Sequence, residues 1–269
     1  MMTPGRLSIQ VRLLRIYYSK QISIFAGLPI VWKYMAIILN IETATEVCSV
    51  NLTRNEEILF ERESSEGLNH SRLLTVFIEE IFKKADPGQL DAIAVSKGPG
   101  SYTGLRIGVS VAKGLCYALN IPLIAVGTLD AFGGYTTQNP EKYLPVEIPP
   151  ANALFCPMID ARRMEVYSKL FDHQGNELEP VTAKVIDENS FLKWLDQYNV
   201  VFFGNGSEKC KTKLIHPNAL FCGPQKASAR FMIRTVQEKY DRKEFEDIAY
   251  FEPFYLKNFI ATVPKNKML

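Results

Sequence analysis

Histidine is nearly absent. His70, His173 and His216 are the only three, and none stands three or four residues from another, so the helical ligand pairs of zinc enzymes are excluded. Cysteine is sparse and unpatterned. Cys48, Cys116, Cys156, Cys210 and Cys222 are odd in number and form no C-x-x-C pair. That excludes a disulfide framework and points to small buried residues in a reducing compartment. The apolar run Ile22–Trp32 counts eleven residues and is broken by Gly27 and Pro29, against the roughly 20 that a helical membrane span needs. The signature loops G-x-x-x-x-G-K-[ST], G-x-G-x-x-G and G-x-S-x-G are missing too, which removes the usual P-loop, dinucleotide and hydrolase-elbow readings. There is no low-complexity segment.

Acid is missing from one region only. Residues 1–34 carry Arg6, Arg12, Arg15, Lys20 and Lys33 and no Asp or Glu. Taking those five positive charges from the net +2 leaves the other 235 residues at −3, a slightly acidic body whose average field does not attract nucleic acid. The basic start fits a transit peptide, whereas a signal peptide would need a small-residue cleavage site that does not follow. "MAIILNIETATEVCSV" from Met35 begins directly as a strand. Met35 is therefore expected to be the natural start, with 1–34 an upstream extension of the reading frame.

What is present is an ordinary globular composition, 47% hydrophobic and 22% charged over 269 residues, enough for one large or two modest domains. Strands are expected at 36–41, 47–52 and 57–64, with hairpin chemistry in the link "TRNE". A helix capped by Asn69 follows, with Leu73, Leu74, Phe77, Ile78, Ile81 and Phe82 on one stripe, ended by Asp86-Pro87-Gly88. A strand at 91–96, a helix from Thr103 and a strand at 123–127 complete the first half. The aperiodic, proline-rich 136–150 reads as the linker. The plan then recurs: strands at 153–162, 165–172 and 177–186, a helix at 189–198, and a strand at 200–207 ending in glycines. A helix at 228–240 and a tail at 250–259 close the chain. The order of elements predicts an internally duplicated α/β protein.

Residues 96–119, "SKGPGSYTGLRIGVSVAKGLCYAL", hold the densest signal. A buried strand, the loop Gly98-Pro99-Gly100-Ser101 and a helix start at Thr103 make an anion-site geometry. Capping by Ser101 or Thr103 around a tight turn explains the same residues, and both readings stand. Gly104, Gly108 and Ala112 are four apart and share one face, so another backbone can approach closely; this face suits packing either inside the fold or against a partner. Glu42 and Asp160 end equivalent strands of the two halves. They are a candidate pair across a cleft for Mg²⁺ or for orienting water, against a plainer reading as turn acids. The charged "DARRMEVY" reads as a solvated hairpin tip, and His70 beside Ser71 as a packing residue.

"ILNIETATEVCSV", "NHSRLL", "DAIAVSKGPGSYTGLRIGVSVAKGL", "IDARRMEVY" and "EPFYLKN" resemble, in that order, the signature segments of the bacterial TsaB (YeaZ) family, from Met35 to about Phe259. The resemblance implies an α/β fold of the duplicated actin/Hsp70-like kind (ASKHA, RNase H-like), two lobes of mixed sheet with helices, at 35–138 and 150–269. The last helix either stays with the second lobe or packs back on the first. It implies a non-catalytic, cytoplasmic subunit that binds and activates a TsaD-like catalytic subunit for threonylcarbamoyladenosine formation in tRNA, recruits a TsaE-like ATPase, meets tRNA only through the complex, and forms a homodimer when alone. No catalytic residue, metal or cofactor of its own is implied; a nucleotide at the partner interface is left open. The family's first turn carries Asp where this chain has Glu42. The implied partner surface takes His70, Leu73, Leu74, Phe77 and Ile78 from one helix. From the next it takes Thr103, Gly104, Ile107, Gly108, Val111 and Ala112. The phosphate alternative uses Gly98, Gly100, Ser101, Thr103 and Asp160. It belongs to the rival reading, an active ASKHA phosphotransferase or hydrolase working on ATP; a peptidase is a third.

Overall fold

The computed structural model describes residues 35–66 and 69–257; the expectation about residues 1–34 falls outside them. Two five-stranded mixed sheets make up the frame. In the first, the order is β3-β2-β1-β4-β5, with β1 (Ile37–Glu42), β2 (Cys48–Arg54), β3 (Glu57–Ser64), β4 (Ala92–Gly98) and β5 (Leu123–Gly127). β1 is buried along its whole length because it is central. It runs antiparallel to β2, with Asn40 opposite Asn51, and parallel to β4, with Asn40 opposite Ala94. In the β2–β3 turn, Asn55 and Glu56 both take positive φ, as a tight hairpin requires. The second sheet, β10-β9-β6-β7-β8, repeats the order, with β6 (Ala153–Asp160) in the place of β1. β7 (Glu165–Phe171), β8 (Glu177–Val185), β9 (Asn199–Phe203) and the two-residue β10 (Ala219–Leu220) complete it.

The outer face of the first sheet is covered by α1 (His70–Phe82) and α2 (Tyr102–Leu119). Leu74, Ile78 and Ile81 of α1 meet Val109, Ala112 and Cys116 of α2 over Leu39, Ile41 and Val50 of the sheet. Removing one such fully buried leucine, as in Leu74→Ala, removes about 2–5 kcal/mol. In the second half the covering helices shrink to single turns, α4 (Leu192–Leu195) and α5 (Ser207–Cys210). The ten-residue helix expected at 189–198 is shorter because Phe191, at its start, is left-handed with φ 65°; only the turn after it is helical.

The inner faces of the sheets meet through one helix the sequence pattern did not bring out and one that it did. α3 (Thr128–Gln138) begins well before the supposed linker and takes in its first three residues. Its two glycines and paired threonines weaken the helical signal. Yet Thr136 and Thr137 are buried and bond back to the carbonyls of Phe132 and Gly133. Gly133 lies directly on the ring of Phe171 in β7, and Phe132 stacks on Phe203 of β9 and meets Phe231 edge-on. The helix expected at 228–240 starts as a 3-10 turn at Ala229–Met232, capped by Ser228, before α6 (Ile233–Asp241). Ala229, Met232 and Val236 pack on Ile38, Ala94 and Val126 of the first sheet.

α2 is capped by Ser101, whose Oγ accepts from Gly104 N at 3.3 Å. Its glycine face is occupied from within the chain. A Cβ on Gly104 would overlap the carbonyl oxygen of Thr43, and one on Gly108 the Thr43 hydroxyl. That hydroxyl donates to Gly104 O at 2.9 Å. Gly114 has no atom within 4 Å of where its Cβ would stand. Two prices of the same substitution follow. Gly108→Ala, forced against Thr43, destabilises the protein by about 2 kcal/mol or more, whereas Gly114→Ala stabilises it by about 1 kcal/mol. Urea unfolding of the two variants side by side measures the contrast, and equal effects would contradict the seating of Thr43.

Candidate functional site: the inter-lobe cleft and the paired outer helices

Between the lobes lies a cleft of about 510 Å³. The β1–β2 turn and the loop before α2 form its first-lobe wall; the end of β6, Arg162 and Asn205 form the other. Asn205 joins the walls. Its Nδ2 donates to Glu46 Oε2 at 2.7 Å, and its Oδ1 accepts from the Asp160 backbone N–H at 3.0 Å. Asp160 is half-exposed, and its Oδ1 accepts from Lys209 Nζ at 2.5 Å and from Arg162 N at 2.7 Å.

Glu42 is not in this cleft. It is 1% exposed, and its Oε1 accepts from Ala44 N at 2.6 Å and from Ser96 Oγ at 2.8 Å. The candidate Glu42–Asp160 pair across the cleft is not formed, and Glu42 is the turn acid of the plainer reading; the acid that the first lobe places on the cleft is Glu46, four residues on. Glu42 instead ties the turn to β4. Burial raises its carboxyl to about 7, against the opposing pull of those hydrogen bonds.

The phosphate set divides. Gly100, Ser101, Thr103 and Asp160 line the cleft, while Gly98 faces a smaller cavity of about 220 Å³ beside Lys169. The backbone a phosphate would approach is already covered. Ser101 N–H donates to Ala44 O at 2.6 Å, and a Cβ on Gly100 would strike that same carbonyl. Gly104 N is taken by the Ser101 cap. The two turns that would embrace a phosphate close on each other at Ser101 N and Gly104 N, so two of the backbone donors of the phosphate reading are already engaged. Capping, the alternative held open above, accounts for the serine and the glycines.

The partner-surface set divides as well. Gly104, Gly108 and Ala112 are buried against Thr43 and the core, and Leu74 and Ile78 belong to that core. His70 is buried, with Nε2 at 3.1 Å from Val47 O; it pins the start of α1 to the strand region and does not serve Ser71. These six residues are not surface, because the smooth face is used by the chain itself. Leu73 and Phe77 of α1 and Ile107 and Val111 of α2 are half-buried and rim the core cluster between the helices. Thr103 is exposed. Val76, 42% exposed, and Tyr117, 84% exposed, are apolar surface that the sequence reading passed over; a hydrophobic residue off the buried stripe is the signal that would have found Val76.

Burial also makes the thiols inert. It pushes Cys48 and Cys210 to about 11 and Cys116 to about 12, far from the thiolate form at neutral pH. Among the described residues no group of three or more His, Cys, Asp or Glu is placed to hold a metal ion, and no helix is long and apolar enough to cross a membrane.

Glu42 gives the fold a measurable pH signature. Its carboxyl rises from 4.5 to about 7 on folding, so the native state keeps a proton that the unfolded chain releases above pH 4.5. The stability it contributes is whole below pH 4.5, declines as the pH rises towards 7, and levels off above; the loss is about 3 kcal/mol. Glu42→Gln keeps the acceptor oxygen and cannot titrate. Urea unfolding from pH 4 to 8 should show the decline in the parent relative to the variant, and parallel curves would refute the assignment.

A family model described as TsaD, tRNA N6-adenosine threonylcarbamoyltransferase, matches residues 64–251. A Bacillus subtilis (strain 168) protein named tRNA threonylcarbamoyladenosine biosynthesis protein TsaB is 33% identical over 176 residues, covering 62% of this chain and 70% of the relative. A TsaB of the same full name from Haemophilus influenzae is 28% identical over 246 residues, covering 83% of this chain and 94% of its own. A Pseudomonas aeruginosa crystal structure, described as an uncharacterized protein with similarity to peptidase YEAZ, superposes with TM-score 0.69 at 24% identity, over 83% of this chain and all of that one. A second, YeaZ from the same organism, gives TM-score 0.67 at 22% identity over 82% of this chain. These two establish that the fold is shared, and the sequence relatives establish descent: the chain belongs to the TsaB family.

Proposed function

We propose that this chain is a non-catalytic subunit of the machinery that makes threonylcarbamoyladenosine in tRNA, acting by binding and activating a TsaD-like catalytic subunit. The observation that carries the reading is the mutual closure of the β1–β2 turn and the 98–104 loop. The framework of a phosphate-handling fold is kept while its two phosphate turns are spent on each other. What the first lobe leaves to the outside is the apolar rim between α1 and α2. Leu73, Phe77, Ile107 and Val111, with Thr103 beside them, are the contact residues for the catalytic subunit, and for a second copy of this chain when that subunit is absent. A TsaE-like ATPase joins the assembled pair, and tRNA is met through the complex. The chain has no nucleotide site of its own. The histidine beside a serine that a peptidase reading would use is bound to a backbone carbonyl, so the surroundings of His70 do not favour hydrolysis.

Two experiments bear on this. Ile107→Glu combined with Val111→Glu places two charges on the rim without entering the Gly104–Ala112 packing. Co-purification with the TsaD-like subunit of the same cell should fall at least tenfold while the circular dichroism of the isolated chain stays that of the folded parent; undiminished association would move the interface elsewhere. The isolated chain should hydrolyse ATP no faster than a buffer control, and turnover at about 1 s⁻¹, ordinary for an enzyme, would overturn the non-catalytic assignment.

A further inference from the structure

Residues 249–257 form no helix or strand, yet they are held at a succession of points along the molecule. Lys113 Nζ of α2 donates to Phe251 O at 2.9 Å and to Ala249 O at 3.4 Å. Phe254 N donates to Lys97 O at 2.7 Å. The Phe254 carbonyl then crosses Gly98 so closely that a Cβ there would stand 2.6 Å from it, and Gly98 has φ 110°. The ring of Tyr255 packs on Tyr102 with centroids 4.8 Å apart, and its hydroxyl accepts from Arg106 Nε at 3.2 Å. The Arg106 guanidinium in turn lies 4.0 Å from the Tyr102 ring. Finally Lys257 pairs with Glu165 of β7, so the segment starts on the first lobe and ends on the second. Phe254 and Pro99 stand in the walls of both cavities, the cleft of about 510 Å³ and its neighbour of about 220 Å³.

We propose that residues 249–257 are a releasable strap: the chain's own extended peptide, docked across the mouth of the inter-lobe cleft, which keeps the two cavities apart and pins the first turn of α2. Its attachments are of the kind that open locally. They are the two bonds from Lys113 to carbonyls, one main-chain hydrogen bond at Phe254, the partly exposed Tyr255–Tyr102 pair with its bond from Arg106, and a surface ion pair, the last worth little by itself. Phe254 remains 40% exposed and enters none of the core clusters; half-buried Phe251 is the apolar side chain of the segment that rests against the first-sheet core. Segments with few buried apolar contacts and solvent-accessible hydrogen bonds detach well below the free energy of global unfolding. Detachment takes Phe254 out of the wall between the cavities and opens a single groove between the lobes. The inference is independent of the reading as a TsaD-binding subunit, since it concerns only contacts within the chain.

Hydrogen exchange of the full-length protein, read over 249–257, 97–106 and the strands β1 and β4, tests it, together with hydroxyl-radical labelling of Tyr167 on the second-lobe wall. In the parent, the Phe254 amide should be protected. Tyr255→Ala should speed exchange of both 249–257 and 97–106 at least tenfold and raise labelling of Tyr167, with β1 and β4 unchanged. Tyr255→Phe keeps the ring contact and loses only the Arg106 bond, so it should give a smaller change in the same places. The strap is refuted if 249–257 exchanges as free chain in the parent. It is equally refuted if Tyr255→Ala frees the tail with no response at 97–106 or Tyr167, or if β1 and β4 loosen in step with the tail, because the segment would then be an ordinary part of the global fold.

Discussion

Thr43 rests on α2 about as closely as one stretch of backbone can rest on another. Its carbonyl fills the space a side chain at Gly104 would need, its hydroxyl fills that at Gly108, and the same hydroxyl bonds the Gly104 carbonyl. Ala44 repeats the arrangement at Gly100 and takes the Ser101 N–H. Much else is fixed by this seating. It sets the distance of α2 from the first sheet, so that Val109, Ala112 and Cys116 reach the core. It folds the turn back over Glu42, whose carboxyl group is sealed from water and bonded by Ala44 N and Ser96 Oγ. It also draws the two loops together, with Ser101 N–H on the Ala44 carbonyl and that carbonyl in the space beside Gly100. Glycine is tolerated in the helix because the close approach, with Thr43 filling the gap, offsets its entropic cost of about 1 kcal/mol per residue.

The two halves of the molecule share a strand order but not a balance of forces. The first sheet is backed by two full helices and a continuous cluster of buried side chains. The second is backed by single turns and leans on α3 and Phe231, which lie between the sheets, while α6 packs on the first sheet. Phe132, Phe203 and Phe231 interlock there, and polar bonds cross the same boundary. Lys169 reaches Asp130, Arg230 reaches Glu61, and Ala229 N donates to Ser49 Oγ. The lobes are thus joined by a shared core as well as by surface pairs, an arrangement that suits a rigid support better than a pair of jaws that must swing to work.

A support needs a surface to offer, and the outer side of the first lobe has one. The helices that cover the sheet bury their inner stripes completely and leave a half-buried apolar seam between them. The groups that would do chemistry are by contrast engaged: Glu42 in the turn, His70 on a carbonyl, and Asp160 between a lysine and a backbone N–H.

The alternation and helical spacing of the apolar residues determined most of the elements, their order, the duplication and the family segments, because local periodicity is written directly into sequence. Sequence also marked the right stretch, residues 96–119, as unusual. It left undecided whether the glycine face met a partner or the chain itself. That was settled by Thr43, some sixty positions away, through a contact with no local pattern. The same holds for α3, whose threonines are buried only because a second sheet lies over them, and for the acid on the cleft, where the curl of the turn exposes Glu46 and hides Glu42. Which face of an element looks outward is decided by what packs on it, and packing partners distant in the chain exist only in the folded structure.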